Sequence, residues 1–560
     1  MSTFVINTVV TTPFEGQKLG TSGLRKRVKV FQQEHYTANF VQASLNAMPS
    51  PGKKGATLVV GGDGRYYTKE AAQIIIRVAA GNGVSKLIIG RNAILSTPAA
   101  SNLIRKRHAT GGFLLTASHN PGGPDNDFGI KFNVSNGGSA PEKVTDRIYE
   151  LSKQIKEYHI AGLPEVDLSE LGTKRYGEDF TIEVVDSVED YVQLVKEIFD
   201  FELIKQFFQK NPDYKVLFDS LHGVTGPYVK KIFVEELGLP STSIQNAIPL
   251  PDFGGSHPDP NLTYARSLVD RVEKENINFG AASDGDGDRN LIYGKSVFVN
   301  PSDSLAVITA NAEIIPYFKR TGLKGVARSM PTSGAVDLVA KKKGIECFET
   351  PTGWKFFGNL MDAGRISICG EESFGTGSDH IREKDGIWAV LAWLNIIASA
   401  NEKKPGTGIK EILLAHFNEY GRNFFARYDY EEVEEQQGNN VINHLTKLIS
   451  TERDSFIGKT YGNFTVKDAD NFEYHDPIDG SSSKKQGIRI FFEDGSRIVS
   501  RLSGTGSHGA TVRLYVEKYS KDPLEYEADT QKALKPLIDV ALEISQIPAF
   551  TGRNEPTVIT

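Results

Sequence analysis

Short apolar runs alternate with longer amphipathic segments through the first part of the chain. The runs at residues 56–60, 86–90 and 112–115 predict strands, and residues 67–80 and 97–107 between them predict helices. This alternation is typical of a parallel sheet with helices on both faces.

The same alternation recurs in two later stretches of similar length. Strands are predicted at residues 214–219, 277–282, 324–327 and 365–369, and helices at residues 226–237 and 333–343. In all three stretches an apolar strand ends in a small, polar segment, which indicates a structural triplication. In open α/β sheets, ligands bind beyond the carboxyl ends of the strands, so we expect these segments to line one cleft.

The last part of the chain has a different pattern. Residues 489–499 alternate in polarity around Asp494-Gly495 and predict a hairpin, residues 511–516 predict another strand, and residues 529–545 a helix. We therefore expect three related α/β domains with mixed or parallel sheets and a fourth α+β domain with an antiparallel sheet, around a central cleft. The expected domains are residues 1–192, 193–302, 303–420 and 421–560.

Composition narrows the class of protein and its partners. The hydrophobic fraction is 39% and the charged fraction 24%, as in soluble globular proteins, and a net charge of −6 gives no basic field for nucleic acid. The only cysteines, Cys347 and Cys369, exclude a disulfide scaffold and fit a reducing compartment. Residues 387–400 are too short an apolar run to span a bilayer, and residues 1–18 do not resemble a secretory signal. We expect a cytoplasmic protein with no nucleic-acid or membrane partner.

The first polar segment places a serine directly after a predicted strand. Ser118 and His119 follow the run at residues 112–115, and a Gly- and Pro-rich loop comes next. A hydroxyl held at the end of a rigid strand suits a nucleophile or a carrier of a transferable group. Taken alone, residues 116–121 are explained equally well by a simple turn made by Ser118 and Asn120.

The second polar segment is a candidate metal site. Asp284, Asp286 and Asp288 alternate with glycines that permit the loop to curl, and a hard divalent cation prefers carboxylate oxygens. An EF-hand is excluded because Arg289 and Lys295 occupy the positions that need glycine and glutamate. A solvated acidic turn is the alternative.

Two segments are candidates for phosphate binding. Residues 504–509 fit the G-x-G-x-x-G pattern, but a strand is predicted after them, which excludes a dinucleotide fold. Their amides and hydroxyls, between Arg501 and Arg513, suit a phosphate instead. Residues 20–27 combine small residues with three cations, for which a solvated basic loop is the alternative.

Sugar-type polar groups occur in the third unit. Glu371 and Ser373 suit sugar hydroxyls, and Trp354 suits either a sugar face or the core. His380 and Lys384 follow in a polar segment that lies either in the cleft or in solvent. Three aspartates and a phosphoserine around one dication would leave excess negative charge, which Arg25, Lys131 and Arg289 are placed to offset.

Together these segments resemble the α-D-phosphohexomutase superfamily over essentially the whole chain. The resemblance rests on TASHNP at residues 116–121, DGDGDR at 284–289, GEESFG at 370–375 and RLSGTGS at 501–507, in that order. It implies four domains around a deep cleft, one Mg²⁺ per chain, glucose 1,6-bisphosphate as activator and intermediate, and a monomer that binds sugar phosphates.

The resemblance also implies roles for individual residues. Ser118 would be the phosphoserine, and its phosphate would bind Mg²⁺ together with Asp284, Asp286 and Asp288. Charge and proton transfer would come from Arg25, His119, Lys131, Arg289, His380 and Lys384. The substrate would contact Thr352, Gly353, Trp354, Lys355, Glu371, Ser373, Arg501, Ser503, Gly504, Thr505 and Arg513. His508 stands where a small residue is expected.

The implied reaction interconverts glucose 1-phosphate and glucose 6-phosphate by two phosphoryl transfers through Ser118. The fourth domain is expected to move and close the cleft, because water would otherwise hydrolyse the phosphoserine. A mutase for mannose or glucosamine phosphates and a non-catalytic structural relative are the alternatives.

Overall fold

The computed structural model describes residues 4–20, 22–504 and 509–560. The chain divides into two compact units. The first comprises Met1–Val297, Glu313–Gly322 and Phe374–Gly406, and the second Phe298–Ala312, Leu323–Ser373 and Thr407–Thr560.

A seven-stranded mixed sheet forms the centre of the N-terminal part of the first unit. In spatial order its strands are Leu24–Arg27, Asp127–Val134, Gly111–Leu115, Thr57–Gly62, Lys86–Ile94, Phe180–Val185 and Gly172–Tyr176. Four neighbouring strands, from Gly111–Leu115 to Phe180–Val185, are parallel and the outer strands antiparallel. The helices of this part are Val28–Phe31, Tyr36–Ala47, Thr68–Gly81, Thr97–Lys106 and Glu142–Gln154. A separate pair, Ile6–Val10 and Glu157–Ala161, is antiparallel.

The helix Thr97–Lys106 illustrates how local sequence sets the ends of these elements. The Ser96 hydroxyl accepts a hydrogen bond from the Ala99 amide at 3.2 Å. Pro98 occupies the first turn, and Arg105 and Lys106 lie in the last turn. These are the residue types that favour a helix N-terminus and complement the dipole at its C-terminus. The start of this helix is thereby fixed at Thr97.

The second sheet of the first unit is shorter. Strands Ile244–Gln245, Val216–Asp219 and Phe279–Ser283 are parallel, and Asn290–Gly294 pairs antiparallel with Phe279–Ser283. The helix predicted at residues 226–237 is an α-helix, Gly226–Val229, that continues as the π-helix Lys230–Glu236. The other α-helices of this unit are Glu189–Ile198, Phe201–Lys210, Arg266–Glu275, Pro316–Thr321 and Gly386–Lys403, and its remaining strand is Gly375–Ser378.

The apolar run at residues 387–400 lies within the helix Gly386–Lys403. Trp388 and Trp393 on this helix are among the largest fully buried side chains. Among the described residues, the helices are all too short or too polar to cross a membrane.

The second unit combines a parallel and an antiparallel sheet. Gly325–Ser329 pairs in parallel with Glu346–Thr350 and with Ile368–Glu371. The helices of this part are Pro301–Ala310, Ala335–Lys343, Trp354–Asp362 and Ile409–Tyr420, and strand Val297–Val299 comes just before the first of them.

The C-terminal sheet has seven strands. In spatial order they are Thr460–Tyr461, Phe464–Asn471, Ile488–Phe492, Arg497–Ser503, Ala510–Ser520, Arg422–Val433 and Val558–Ile559, each antiparallel to the next. A two-stranded pair, Tyr474–His475 and Ser482–Ser483, and helices Glu435–Ile449, Arg453–Phe456, Thr530–Ser545 and Ile547–Thr551 complete it. The predicted fold class of three α/β domains and one antiparallel α+β domain is confirmed.

A buried histidine in the second unit leads us to expect sensitivity to acid. His416 on helix Ile409–Tyr420 is 6% exposed, and its ring lies 4.7 Å from that of Tyr420. Burial lowers the pKa of His416 to about 4, although Glu419 opposes this shift.

Because the unfolded chain binds the proton more readily, this histidine stabilises the fold above pH 6.5, and that contribution is lost as the pH falls towards 4. We expect the free energy of unfolding to fall by about 2 kcal/mol more between pH 7.5 and pH 5 in the wild type than in His416→Gln. Urea unfolding at the two pH values measures this difference. Parallel losses in the two proteins would contradict the assignment.

Candidate active site

Ser118 lies just beyond strand Gly111–Leu115. It faces the loop at residues 284–288, called here the aspartate loop, which carries the three predicted metal ligands. Its side-chain hydroxyl donates a hydrogen bond to Oδ2 of Asp284 at 2.8 Å, and the residue is 3% exposed. Nδ1 of His119 lies 3.4 Å from the same hydroxyl. Two segments 166 residues apart in the chain therefore meet at one buried hydroxyl.

Glycine at position 285 permits this close approach. A Cβ atom at Gly285 would lie 2.6 Å from the carbonyl oxygen of Ser118, which is shorter than van der Waals contact allows. Gly287 has φ = +80°, a left-handed conformation that favours glycine. Both glycines of the aspartate loop thus have a structural reason.

The three aspartates form a cluster that fits a divalent cation. One carboxylate oxygen from each of Asp284, Asp286 and Asp288 lies within 4.8 Å of the others, and all three residues are buried. Oδ1 of Asp286 and Oδ1 of Asp288 are buried without a hydrogen-bond partner within the described part of the chain. Hard divalent cations prefer oxygen ligands of this kind, so the residues present fit such an ion.

Ionisation of all three aspartates is unfavourable unless positive charge lies close to them. Burial, followed by the charges of Asp286 and Asp288, raises the pKa of Asp284 well above its usual value. Burial, followed by Asp286, raises the pKa of Asp288 to about 6. A bound dication would reverse both effects because it favours the ionised carboxylates.

Two buried arginines supply part of the positive charge. Nε of Arg25 and Nε of Arg289 have no hydrogen-bond partner among the residues that the structure describes. Burial lowers the pKa of Arg25, and Asp286 opposes that shift. Burial alone would lower the pKa of Arg289, but Asp259, Asp284 and Asp288 raise it. Buried cations with unused donors are suited to an anionic ligand such as a phosphate.

Two lysines also contact carboxylates of the first unit. Nζ of Lys384 lies 3.5 Å from Oδ2 of Asp288, and Nζ of Lys131 lies 2.5 Å from Oε1 of Glu383. The structure thus brings together Ser118, the three aspartates and their predicted cationic neighbours.

His380 has a different environment in the first unit. Its side chain is fully buried, with Nδ1 2.6 Å from the Ser378 hydroxyl and Nε2 2.9 Å from Oδ2 of Asp385. The Tyr191 hydroxyl donates to Oδ1 of the same aspartate at 2.6 Å. His380 therefore links neighbouring residues of its own segment, and its contact with substrate stays a prediction.

In the second unit, two predicted phosphate-binding arginines lie side by side. Arg501 and Arg513 are direct partners on neighbouring antiparallel strands. Like charges in this position repel each other, and a shared anion relieves that repulsion. Ser503 ends the strand and Gly504 follows it, whereas Thr505 and His508 lie outside the described residues.

The predicted sugar-binding residues of the second unit lie around Glu371. Oε1 of Glu371 accepts a hydrogen bond from the Gly353 amide at 3.0 Å. The hydroxyl of Thr352 and the indole nitrogen of Trp354 are buried with no partner in the described ranges. Trp354 is 7% exposed and packs edge-on against Phe357 in a core cluster, so its ring belongs to the core.

Two further predicted residues flank this group. Ser373 is half-buried, and the amine of Lys355 lies over the ring of Phe356 at 4.9 Å. The roles of all these side chains in binding substrate stay predictions.

Known proteins resemble this chain over its whole length. The phosphoglucomutase of Schizosaccharomyces pombe is 58% identical over 99% of this chain and 100% of its own length. The chain belongs to the phosphoglucomutase family. Phosphoglucomutase-1 of Oryctolagus cuniculus is 56% identical over 99% of this chain and 100% of its own.

Domain models and a solved structure agree with this membership. Phosphoglucomutase/phosphomannomutase α/β/α domains I, II and III match residues 16–159, 189–296 and 301–420, and the phosphoglucomutase-1 C-terminal domain matches residues 422–557. The crystal structure of pp63/parafusin, a phosphoglucomutase from Paramecium in an open form, has a TM-score of 0.90 and 49% identity and covers 100% of both chains. The predicted resemblance, and with it the isomerase class of phosphoglucomutases, is confirmed.

The structure of this phosphoglucomutase-family chain also shows contributors that the sequence did not single out. The Thr97 hydroxyl donates to Oδ2 of Asp286 at 2.8 Å. Glu383 holds Lys131 and also accepts from Asn133 at 2.9 Å. Thr97 follows the end of a strand at the carboxyl edge of the sheet, and this position is the signal by which the sequence could have identified it. No pattern in the sequence separates Glu383 from the other acidic residues.

Proposed function

We propose that this chain interconverts glucose 1-phosphate and glucose 6-phosphate, with phosphorylated Ser118 as the carrier and glucose 1,6-bisphosphate as the intermediate. The observation that most supports this is the Ser118 hydroxyl, 2.8 Å from Asp284, in a buried site with two arginines that have unused donors. The similarity of the chain to proteins named phosphoglucomutase supports the choice of glucose phosphates as substrates.

In the proposed first step, the phosphoryl group leaves Oγ of Ser118 and bonds to O6 of glucose 1-phosphate, and the proton of that O6 hydroxyl passes to Oγ. In the second step, the bond from O1 of the bisphosphate to its phosphorus breaks as that phosphoryl group bonds to Oγ of Ser118, and the proton lost from Oγ passes to O1. We assign proton transfer to His119 and Lys131, of which His119 lies 3.4 Å from Oγ. Arg25 and Arg289 stabilise the charge on the transferred group.

Asp284, Asp286 and Asp288 would hold one Mg²⁺ together with an oxygen of the phosphoserine. That ion would neutralise charge on the phosphoryl group and act as a Lewis acid. Lys384, 3.5 Å from Asp288, orients this carboxylate and limits its negative charge.

The second unit is proposed to recognise the rest of the substrate. Arg501, Ser503, Gly504, Thr505 and Arg513 would bind the phosphate that does not react. Glu371, Ser373 and the segment from Thr352 to Lys355 would bind the sugar hydroxyls, and the unpartnered Thr352 hydroxyl supports that assignment. The fixed polar groups would select glucose over mannose and glucosamine phosphates.

An enzyme assay on the purified chain tests the proposal. With Mg²⁺ and a trace of glucose 1,6-bisphosphate, glucose 1-phosphate should be converted to glucose 6-phosphate at least about tenfold faster than mannose 1-phosphate or glucosamine 1-phosphate is converted. Light scattering during the assay should give the mass of a monomer. A faster rate on either other sugar would replace the proposed substrate, and no turnover of any would favour a non-catalytic relative.

Removal of one phosphate-binding arginine should affect substrate affinity more than chemistry. We expect Arg513→Gln to raise the KM for glucose 1-phosphate about 10- to 100-fold, because a charge-assisted hydrogen bond contributes about 1.5–3 kcal/mol. Arg453→Gln is the control, since Arg453 lies in the same domain and pairs with Asp468 at the surface. An unchanged KM in Arg513→Gln would contradict the assignment of this phosphate site.

A further inference from the structure

Arg65 is a fully buried cation that binds the backbone of the Ser118 loop. Its Nη2 donates to the carbonyl oxygen of Ser118 at 2.9 Å. Its Nη1 donates to the carbonyl oxygens of Asp127 at 3.0 Å and of Asn120 at 3.3 Å. One guanidinium thus connects the start, the middle and the end of the loop.

Asp63 links Arg65 to the amide side of the same serine. Both carboxylate oxygens of Asp63 accept from Nε of Arg65, at 2.9 and 3.1 Å. Oδ2 also accepts from the Thr116 hydroxyl at 2.6 Å, and that hydroxyl in turn accepts from the Ser118 amide at 2.8 Å. The Asp63–Arg65 pair therefore binds the C=O of Ser118 directly and its N–H through the Thr116 hydroxyl, and the side chains of both members of the pair are fully buried.

Ser118 needs such restraint because of its backbone conformation. Its φ is +54°, in the left-handed region that residues other than glycine seldom adopt. Conformations of this kind persist where surrounding contacts determine them, and they occur often at active sites. The direction of the Ser118 hydroxyl towards Asp284 depends on this backbone angle.

We propose that the Asp63–Arg65 pair is a positioning device for phosphoryl transfer, which holds Ser118 so that its hydroxyl faces the aspartate cluster. Neither residue touches substrate, and the inference rests on the function proposed above. Arginine suits the task because its planar fork donates to several acceptors at once, which an ammonium group cannot match. Phe253 fixes the other side of the guanidinium, with 5.0 Å from its ring centroid to Cζ of Arg65.

The test is a single-turnover measurement on the full chain with Mg²⁺ and glucose 1,6-bisphosphate. The phosphoryl group moves from the bisphosphate to Oγ of Ser118, the serine proton passes to the released sugar oxygen, and intact mass follows the phosphate gained. We expect Arg65→Lys to slow this transfer about 10- to 100-fold, because misplacement of a reacting group by about 1 Å has effects of that size. The KM for glucose 1-phosphate should stay within about threefold of the wild-type value. A general loss of folding would lower the amplitude of phosphate uptake and leave its rate constant unchanged, so the slower rate constant identifies a positioning role.

Arg422→Lys is the matched control. Nη1 of Arg422 donates to two backbone carbonyls at 2.8 Å, those of Tyr526 and Ala528, and Arg422 stacks on Phe424 at 4.1 Å, all in the C-terminal domain. This variant should lose thermal stability while it keeps the wild-type rate of Ser118 phosphorylation.

A second variant covers the case in which Arg65→Lys does not fold. Thr116→Val keeps the shape of the side chain but breaks the link from Asp63 to the Ser118 amide, and it should slow transfer about tenfold at unchanged KM. A wild-type transfer rate in the folded Arg65→Lys variant, or in Thr116→Val, would overturn this inference and leave the proposed function intact. A wild-type chain that gains no phosphate would overturn both the inference and the proposed function.

Discussion

The Ser118→Ala variant should take up no phosphate from glucose 1,6-bisphosphate, and its kcat for glucose 1-phosphate should fall by at least about 10⁴-fold. Loss of a catalytic nucleophile has effects of this size, because the groups that remain only bind and polarise the substrate. Sugar phosphates should still bind, since the proposed phosphate and sugar contacts lie on other side chains. A coupled assay for kcat and calorimetry for binding separate the two effects.

Ser152→Ala is the control for this experiment. Ser152 is also a buried serine of the N-terminal part, and its hydroxyl donates to the carbonyl oxygen of Tyr149 at 2.7 Å. Its removal should affect stability and leave kcat unchanged. Activity in Ser118→Ala within tenfold of the wild type would show that another group accepts the phosphoryl group.

The second large effect is expected from Asp288→Asn. Removal of one carboxylate from the cluster should weaken Mg²⁺ binding and lower kcat by about 10³-fold, because a neutral amide neutralises less of the charge of the ion. Without metal, the same change should stabilise the fold by about 1–3 kcal/mol, since three buried carboxylates repel each other. The prediction is therefore a loss of activity together with a gain of metal-free stability.

A kcat assay with saturating Mg²⁺ tests the loss of activity, and thermal unfolding with Mg²⁺ or with EDTA tests the change in stability. The wild type should be stabilised by Mg²⁺ as mass action requires, whereas Asp288→Asn should respond weakly. Asp213→Asn at an exposed position should behave as the wild type does. A variant that is as active as the wild type, or that responds to Mg²⁺ in the same way, would exclude Asp288 as a metal ligand.

Periodicity in the sequence was sufficient to predict most regular elements in the four parts of the fold. The predicted helix at residues 97–107 is observed at Thr97–Lys106, and the predicted helix at residues 529–545 at Thr530–Ser545. These helices bury one face, so their apolar residues recur at a helical period that can be read from the sequence. The sequence does not predict the π-helical segment Lys230–Glu236, because its 7 residues are too few for the polarity pattern to separate a π-helix from an α-helix.

The candidate site was predictable where its chemistry has a compact sequence signal. Asp284, Asp286 and Asp288 alternate with glycines, and the structure brings them together with Ser118. Glu383 and Thr97 were missed because their partners, Lys131 and Asp286, are more than 180 residues away in the chain. Arg65 has no place in the predicted site, and only the fold shows that its donors bind the loop of Ser118.

The function of these residues depends on contacts between distant segments, which local sequence does not encode. Trp354 illustrates the same limit, since core packing and sugar stacking favour the same residue type, and only the fold shows that its ring packs against Phe357.

The most direct test of the account is the mass of the Ser118 peptide. The protein is first incubated with Mg²⁺ and glucose 1,6-bisphosphate, and then with excess glucose 6-phosphate. We predict that one phosphate is gained on Ser118 in the first incubation and lost to the sugar in the second. A folded protein whose Ser118 stays unmodified in both incubations would contradict the phosphoserine mechanism.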